Sequence, residues 1–547
     1  MSDFLPEKKQ DWTPFSPIGG KAPSPSQTSH GSAGWLSKEM AKAVGLNDGG
    51  AGKAGLIFAR GQNGLMWYPA HKIEGWGIGE GHAICCAPSR SGKGVSFVIP
   101  NLLTWPGSLI CIDPKGENAF FTARRRASFG AVYILDPCGV TKEKSHTFNP
   151  LDWLRSSSNY DEDLRLIVEA LTPETSSIDQ FWNQGARDLI LGLIHFVIAT
   201  QGERKSLGRI YELLNSDFVT WEKTIKAMKH CNGGSSLLNE QVRNAANWYE
   251  SLEEGHQKYH RGTALFHLGW LAPQRVRQAV ETSSFDMREI KEDTASIYLC
   301  IPPLSLGLYG GFSRVVATLA IKAVMAKRAK RTDTPTLFML DEFATTIGQM
   351  RAFEESFTVI AGYGGRFAMI LQTVDQLQSL YPERRGTQSW KTIMENAGLK
   401  VFFNAREGTA EYVSKRMGVT TVNQISAIGG SKQIQRPLMF PEEVMFPKDP
   451  NGNFVPDAVY AFIEGLPTVR ARRVFSYRDA EFTRLHDPNK EEPDFIESFE
   501  SEWEKAEKYT SAGVPMDKLW KPPTNPPKVS QKDIEAQQKI SGWDTWS

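Results

Sequence analysis

The chain has almost no net charge. Its 63 Lys and Arg residues stand against 62 Asp and Glu, a formal +1 over 547 residues. A broadly basic, DNA-coating protein is excluded, so any nucleic-acid contact has to come from a local patch or a pore. Cysteine is scarce too. Cys85, Cys86, Cys111, Cys138, Cys231 and Cys300 are the whole set, and none falls at metal-ligand spacing. A cysteine-built metal centre is excluded, and Cys85, Cys86, Cys111 and Cys300, inside apolar strand-like runs, read as buried, reduced thiols of a cytoplasmic protein. Long apolar runs are also missing. The nearest approach to a bilayer span is 189–199, too short for the ~18–20 residues required and interrupted by His195. The N-terminus is polar, with no signal-peptide hydrophobic region. The chain as given reads as soluble.

What is there is a long chain of ordinary composition, 40% hydrophobic and 23% charged. That length exceeds what one core supports, so two or three domains are expected. Residues 1–30 are rich in Pro, Ser, Gly and Lys and read as a flexible N-terminal arm. Residues 31–46 read as a short amphipathic helix, and 56–68 as strand broken by Gly61 and Gly64. Short apolar runs follow at 82–87 (HAICCA), 108–113 (SLICID) and 131–136 (AVYILD). Their continuity, without polar alternation, suits strands buried on both faces of a parallel sheet. From 161 to 291 the period becomes helical, strongest at 181–198 and 209–228. Strand-like runs return at 296–302, 336–340, 367–371, 400–404 and 458–463. This predicts an α/β fold whose nucleotide-binding domain spans 31–155 and 293–480. An all-α domain at 156–292 is inserted between its third and fourth core strands. Residues 481–547 are acidic, then proline-rich, with isolated Trp520, Trp543 and Trp546. They read as an extended tail with one helix at 494–509, either solvated or docking a partner.

Residues 87–96, APSRSGKGVS, lie between an apolar run and the start of a helix. Strand, tight loop and helix N-terminus are the context a phosphate loop requires. Ser89, Arg90, Ser91, Gly92, Lys93, Gly94 and Val95 are the candidate nucleotide contacts. Backbone N–H groups of 89–94 would cradle a β-phosphate, and Lys93 would bridge the β- and γ-phosphates. The segment departs twice from G-x-x-x-x-G-K-[ST]: Ala87 replaces the first Gly, and Gly94 replaces the hydroxyl residue that normally ligates Mg²⁺. Ser96, water or an acidic residue on a neighbouring strand would then hold the metal.

The run 336–340 ends in Asp341-Glu342, a Walker B pattern. Acidic residues at a strand's C-terminal end face the ligand crevice of an open α/β sheet. Asp341 is the expected metal ligand and Glu342 the group that polarises the attacking water. Gln372, at the tip of the next run, is the expected γ-phosphate sensor.

Taken with further segments, these motifs resemble the type IV secretion coupling proteins, the conjugative coupling ATPases. The segments are "HGSAGWLSKEM" at 30–40, "DPKGE" at 113–117, "FNPLDWL" at 148–154, "FWNQGARDLILGLIHFV" at 181–197, "LDEFATTIG" at 340–348, "LQTVDQL" at 371–377 and "RPLMFPEEV" at 436–444. The resemblance covers roughly 30–480, and Gly after the loop Lys is a trait of that family. It implies a RecA-like core that binds ATP with Mg²⁺. It implies a homo-hexamer on the cytoplasmic face of the bacterial inner membrane. The cargo would be single-stranded DNA with bound relaxase, effector proteins or both. The partners would be the channel ATPases and inner-membrane components of a type IV secretion system. Typical members begin with two transmembrane helices. Their absence here implies a peripheral member that needs a separate membrane anchor. In such rings a neighbouring subunit usually supplies an arginine to the transition state, and Arg366 and Arg406 are the candidates. Arg124, Arg125 and Arg126 form a basic cluster that reads as a solvated helix face, or less simply as a DNA-phosphate contact. Two other functions compete: a recruitment platform that binds nucleotide with little turnover, and a RecA-like double-stranded DNA translocase. The latter would lack "DPKGE" and "RPL" and usually ends in a winged helix.

Overall fold

The computed structural model describes residues 32–485, apart from 48–53, 63, 74, 142–143, 174–179, 303–305, 331–332, 347, 349, 384–388, 427–429 and 450. The arm at 1–30 and the tail, including the helix expected at 494–509 but not residues 481–485, lie outside the described residues.

Thirteen strands are described: β1 (Gly55–Gly61), β2 (Gly64–Pro69), β3 (His82–Cys86), β4 (Leu109–Ile112), β5 (Ala131–Leu135), β6 (Ala295–Leu299), β7 (Thr336–Leu340), β8 (Gly365–Leu371), β9 (Ala397–Phe403), β10 (Val419–Ser426), β11 (Gly430–Pro437), β12 (Ala458–Ile463) and β13 (Val469–Arg472). Eleven of them form one sheet in the order β2-β1-β13-β12-β9-β3-β8-β7-β4-β6-β5. From β9 to β5 every pairing is parallel. From β2 to β9 every pairing is antiparallel. Every residue of β3, β4, β6, β7, β8 and β9 is buried. That is why these strands read as unbroken apolar runs: helices cover both faces, so no position is left for an alternating polar residue.

β10 and β11 form a separate antiparallel ribbon, registered from Val419↔Pro437 to Ser426↔Gly430. No strand is expected there from the sequence. The segment has no apolar run, and its strands are specified by each other's main-chain groups rather than by core burial.

The helices begin with α1 (Lys38–Ala43), capped by the Ser37 side chain, which accepts the Met40 N–H. It is shorter than the helix expected over 31–46, because Ser32 and Trp35 instead form bridges to Thr420 and Thr468. α2 (Gly94–Thr104) follows the phosphate loop and α3 (Glu117–Ala127) follows β4. Between β5 and β6 the chain runs through α4 (Tyr160–Leu171), α5 (Gln180–Ala199), α6 (Leu207–Leu214), α7 (Phe218–Lys229), α8 (Ser236–Ser251), α9 (Glu254–His267), α10 (Gln274–Ala279) and α11 (Glu289–Glu292), with no strand among the described residues. The stretch 209–228, expected as one helix, is two. Asp217 accepts the Thr220 N–H at 3.0 Å and starts α7 afresh. His195, which breaks the apolar run of α5, faces inward and shares a 3.2 Å hydrogen bond with the Tyr160 hydroxyl. Burial pulls its pKa down to about 4, so it is a neutral core histidine.

The longest apolar stretch among the described helices is not 189–199 but lies in α12 (Leu306–Met325). Its stretch Leu308–Met325 reaches a mean hydropathy of 1.3, longer and more apolar than 189–199, and 78% of it is buried. It packs against α4, α11 and β8 as a core helix. The described part of 448–455 is a small unit of its own. A Lys448↔Phe454 bridge closes it, and the Asp449 carboxylate accepts the N–H groups of Asn451 and Asn453.

Candidate nucleotide-binding site

The parallel strands all point their C-terminal ends to one edge of the sheet, and Lys93, Asp341, Glu342 and Gln372 gather there. β3 runs into the loop 87–93. Arg90 and Gly92 take positive φ values, 58° and 82°, on either side of Ser91. Left-handed residues so spaced turn successive amides towards one side, the geometry of an anion nest. Ser91 Oγ donates to the Pro88 carbonyl at 2.5 Å and tightens the turn. α2 then begins with a wide turn in which the Ile99 N–H bonds the Gly94 carbonyl. The first-turn amides of α2 have no intrahelical acceptor, and the helix dipole adds positive potential. Asn101 locks α2 to the sheet. Its Oδ1 accepts the Ile57 N–H at 2.7 Å, and its Nδ2 donates to Ile57 O at 2.8 Å and Phe97 O at 2.7 Å.

Lys93 is only 8% exposed. Its ammonium donates to the carbonyls of Ala87 at 2.9 Å and Pro88 at 3.2 Å, and lies 3.8 Å from Glu342 Oε1. Glu342 Oε2 accepts the Gln372 side-chain amide at 2.8 Å. The connection follows from strand order. β8 lies between β3 and β7, with neighbours ~4.8 Å apart, so Gln372 at its tip sits between loop and carboxylates. Glu342 also has φ 49°. A left-handed non-glycine costs ~1–3 kcal/mol and persists where surrounding contacts enforce it. Here the Glu342 N–H donates to Asp341 Oδ1 at 2.9 Å. Three residues predicted separately, Lys93, Glu342 and Gln372, thus form one connected chain.

Asp341 has a neighbour that the sequence reading assigned no role. Asp113 ends β4, the strand beside β7, and its carboxylate accepts the Ala119 N–H at 2.8 Å. Burial raises the pKa of Asp113 to about 7 and that of Asp341 to about 6, with the charge of Glu342 adding to the second. The Asn118 side chain opposes this by donating a hydrogen bond to Asp341. Hard oxygen donors held in a cation-favouring pocket suit Mg²⁺, which takes one or two carboxylates and completes its shell with phosphate oxygens and water. No spacing rule links 113 to 341, so the only signal for Asp113 was the "DPKGE" resemblance.

Three expectations need correction. The Ser96 hydroxyl is enclosed within the protein, without a hydrogen-bond partner among the described residues. So enclosed, it is not presented to a metal, and Asp341 and water remain the candidate ligands. Arg366 is 4% exposed, and its guanidinium donates to the carbonyls of Ala361, Gly365 and Ala70. It sits at the N-terminal end of β8, ~20 Å from Gln372 at ~3.3 Å per residue, and, buried and engaged in this way, it is not presented to a neighbouring subunit. Arg126 is no solvated residue but lies in the interior, with its side chain bonded to Ser296 Oγ and to the carbonyls of Leu102 and Gly107. By contrast Arg406 is exposed, beyond the C-terminal end of β9 and immediately before the helix Glu407–Met417. That helix joins the site edge through Thr409 Oγ1, which accepts the Val374 N–H at 3.4 Å.

The missing loop hydroxyl is not forced by packing. A Cβ built on Gly94 meets nothing within 4 Å, and the residue does not need positive φ. Gly94→Ser is therefore expected to fold with stability within ~0.5 kcal/mol of the parent. It is also expected to lower the Mg²⁺ concentration needed for half-maximal nucleotide binding. Titrating Mg²⁺ against a fluorescent ADP checks this, and an unchanged midpoint would show that the serine hydroxyl does not reach the metal.

A phosphate loop, a strand-end Asp-Glu pair and the glutamine-tipped strand between them define a RecA-like P-loop protein. Its nucleotide-binding sheet is mainly parallel, with an all-α section between β5 and β6. A profile of the family described as "Type IV secretory system Conjugative DNA transfer" matches residues 36–510, and the chain belongs to that family. Protein VirD4 of Rhizobium radiobacter is 27% identical over 475 residues, which cover 84% of this chain and 65% of that protein. The chain thus spans somewhat less than two thirds of that relative. The conjugal transfer protein TraG of Escherichia coli is 24% identical over 506 residues, covering 83% of this chain and 77% of TraG. Among solved structures, the conjugative coupling protein TrwBdeltaN70 superposes with a TM-score of 0.57 at 15% identity, covering 80% of this chain and 93% of that one. TrwB with a non-hydrolysable ATP analogue superposes with a TM-score of 0.55 over 79% of this chain and 98% of TrwB, at 14% identity.

Proposed function

We propose that the chain is the coupling ATPase of a type IV secretion system. It recruits relaxase–DNA, effector proteins or both, and uses ATP hydrolysis to drive their transfer during conjugation. The observation that carries this reading is the Lys93–Glu342–Gln372 chain at the C-terminal edge of the sheet. These contacts support a reading in which Lys93 is the phosphate-binding cation, Glu342 the water-polarising carboxylate and Gln372 the γ-phosphate sensor of one site. The loop amides and Lys93 bind the triphosphate. Asp341 would hold Mg²⁺, whose charge would offset that of the phosphates, while Glu342 would accept the proton of the attacking water and Gln372 would orient Glu342. TrwB, of the same fold, has been obtained with ADP and Mg²⁺, which supports the same pair of ligands here. Arg406 is the arginine we assign to the neighbouring site of a homo-hexamer. Residues 156–292 form an inserted domain that receives cargo. The chain acts on the cytoplasmic face of the inner membrane.

The test is ATP turnover with and without single-stranded DNA. Lys93→Ala is expected to lower the rate by at least ~100-fold, the scale of removing one preorganised transition-state donor. Equal rates in parent and variant would sink the motor reading. Nucleotide binding without turnover in the parent would instead identify a nucleotide-dependent recruitment platform.

A further inference from the structure

A second cation stands behind the phosphate loop, from a part of the chain that no loop motif contains. Arg473 directly follows β13 and is 4% exposed. Its Nη1 donates to the carbonyl of Ser91, the residue between the two left-handed positions of the loop. The rings of Phe403 and Phe475 flank the guanidinium, with centroids 5.3 and 5.1 Å from its Cζ. Main-chain bonds fix the segment in place. The Arg473 N–H donates to Asp457 O at 2.8 Å, and the Ser476 N–H to Val95 O at 2.9 Å, so 473–476 runs along the loop and the first turn of α2. Burial lowers the arginine's pKa to about 10, which leaves it charged at neutral pH.

The consequence comes from peptide planarity. In a trans peptide the carbonyl of one residue and the N–H of the next point in opposite directions. Holding the Ser91 carbonyl against Arg473 on the protein side therefore turns the Gly92 N–H outward, to the face where Lys93 and the first-turn amides of α2 converge. A buried charge is also poorly screened by salt and acts over a longer range than a surface one. We propose that Arg473 is a positioning residue for phosphate binding: it sets the Ser91–Gly92 peptide of the loop and adds a fixed positive charge behind it. The proposal rests on the nucleotide reading above. It also offers a reason why this loop works without its first glycine and its hydroxyl.

The experiment is calorimetric binding of Mg·ADP and of a non-hydrolysable ATP analogue to the full chain, with melting temperatures taken without nucleotide. Arg473→Met keeps length and packing but removes the charge and the fork. It is expected to weaken ADP binding about tenfold and the triphosphate more, since the lost attraction grows with ligand charge. Arg473→Lys restores the charge but not the fork. It is expected to recover the triphosphate-to-ADP preference while staying about threefold weaker than the parent for both. If Arg473→Met does not fold, Arg473→Lys decides. Parent-like affinity in whichever variant decides overturns the proposal. So does an equal loss for both nucleotides in Arg473→Met that merely tracks a lower melting temperature. A parent that binds no nucleotide overturns the site reading itself, and this proposal falls with it; Lys93→Ala losing binding while Arg473→Met keeps it overturns the proposal alone.

Discussion

Glu342→Gln is expected to lower ATP turnover by at least ~100-fold and to leave Mg·ADP affinity within about threefold of the parent. The size is that of losing a positioned general base, ~10²–10⁴. The separation of the two effects follows from geometry. Glutamine has the shape of glutamate, so the 2.8 Å contact with Gln372 can be kept by an amide pair once one of the two side chains flips. The bond from the residue 342 N–H to Asp341 Oδ1 involves only main chain on that side and persists. The left-handed backbone at 342 is held by the same surroundings. What disappears is the ability to take a proton from water. Turnover measured beside equilibrium binding reads the two quantities separately. An unchanged rate would show that Glu342 is not the base, and a matching collapse of affinity would show that it serves chiefly to hold the loop. In cells, transfer between donor and recipient should fall with turnover, and undiminished transfer would mean that hydrolysis is not needed.

Arg126→Met destabilises the fold by ~3–5 kcal/mol, whereas Arg124→Ala, two residues away, changes stability by no more than ~0.5 kcal/mol. Arg126 lies on the buried side of α3. Its Nε donates to Ser296 Oγ at 2.8 Å in β6, and its Nη atoms donate to the carbonyls of Leu102, Trp105 and Gly107, where the end of α2 turns into β4. Methionine fills the volume but leaves those carbonyls buried without a donor, each at ~1–3 kcal/mol. Arg124 donates to the Leu485 carbonyl at an exposed site, at 3.4 Å. Urea denaturation of the two variants is the measurement. A midpoint for Arg126→Met equivalent to less than ~1 kcal/mol of loss would show that water or rearranged donors satisfy those carbonyls. The contrast also bears on the basic cluster: one of its three members is a tie between α2, β4 and β6, so the row cannot act as a single phosphate-binding face.

The parts of this protein that its sequence alone determined are those specified by neighbours in the chain. The parallel strands were legible because burial on both faces leaves only apolar residues in a run, as in β4 and β7. The phosphate loop was legible because strand, left-handed turn and helix start lie within about ten residues. The Asp341–Glu342 pair was legible because a strand's end is where carboxylates meet a ligand. Tertiary structure decided what depends on which strand lies beside which. β8 enters between β3 and β7, and so Gln372 touches Glu342. β4 lies beside β7, and so Asp113 adjoins Asp341. Arg366, Arg126, Arg406 and Arg473 are one letter in the sequence and differ in role only through place. Arg366 and Arg126 are buried and spent on main-chain carbonyls, Arg406 is free in solvent at the site edge, and Arg473 is wedged behind the loop. A guanidinium acts through what it can reach, and reach across hundreds of residues of chain is set by packing, which leaves no local periodicity to read.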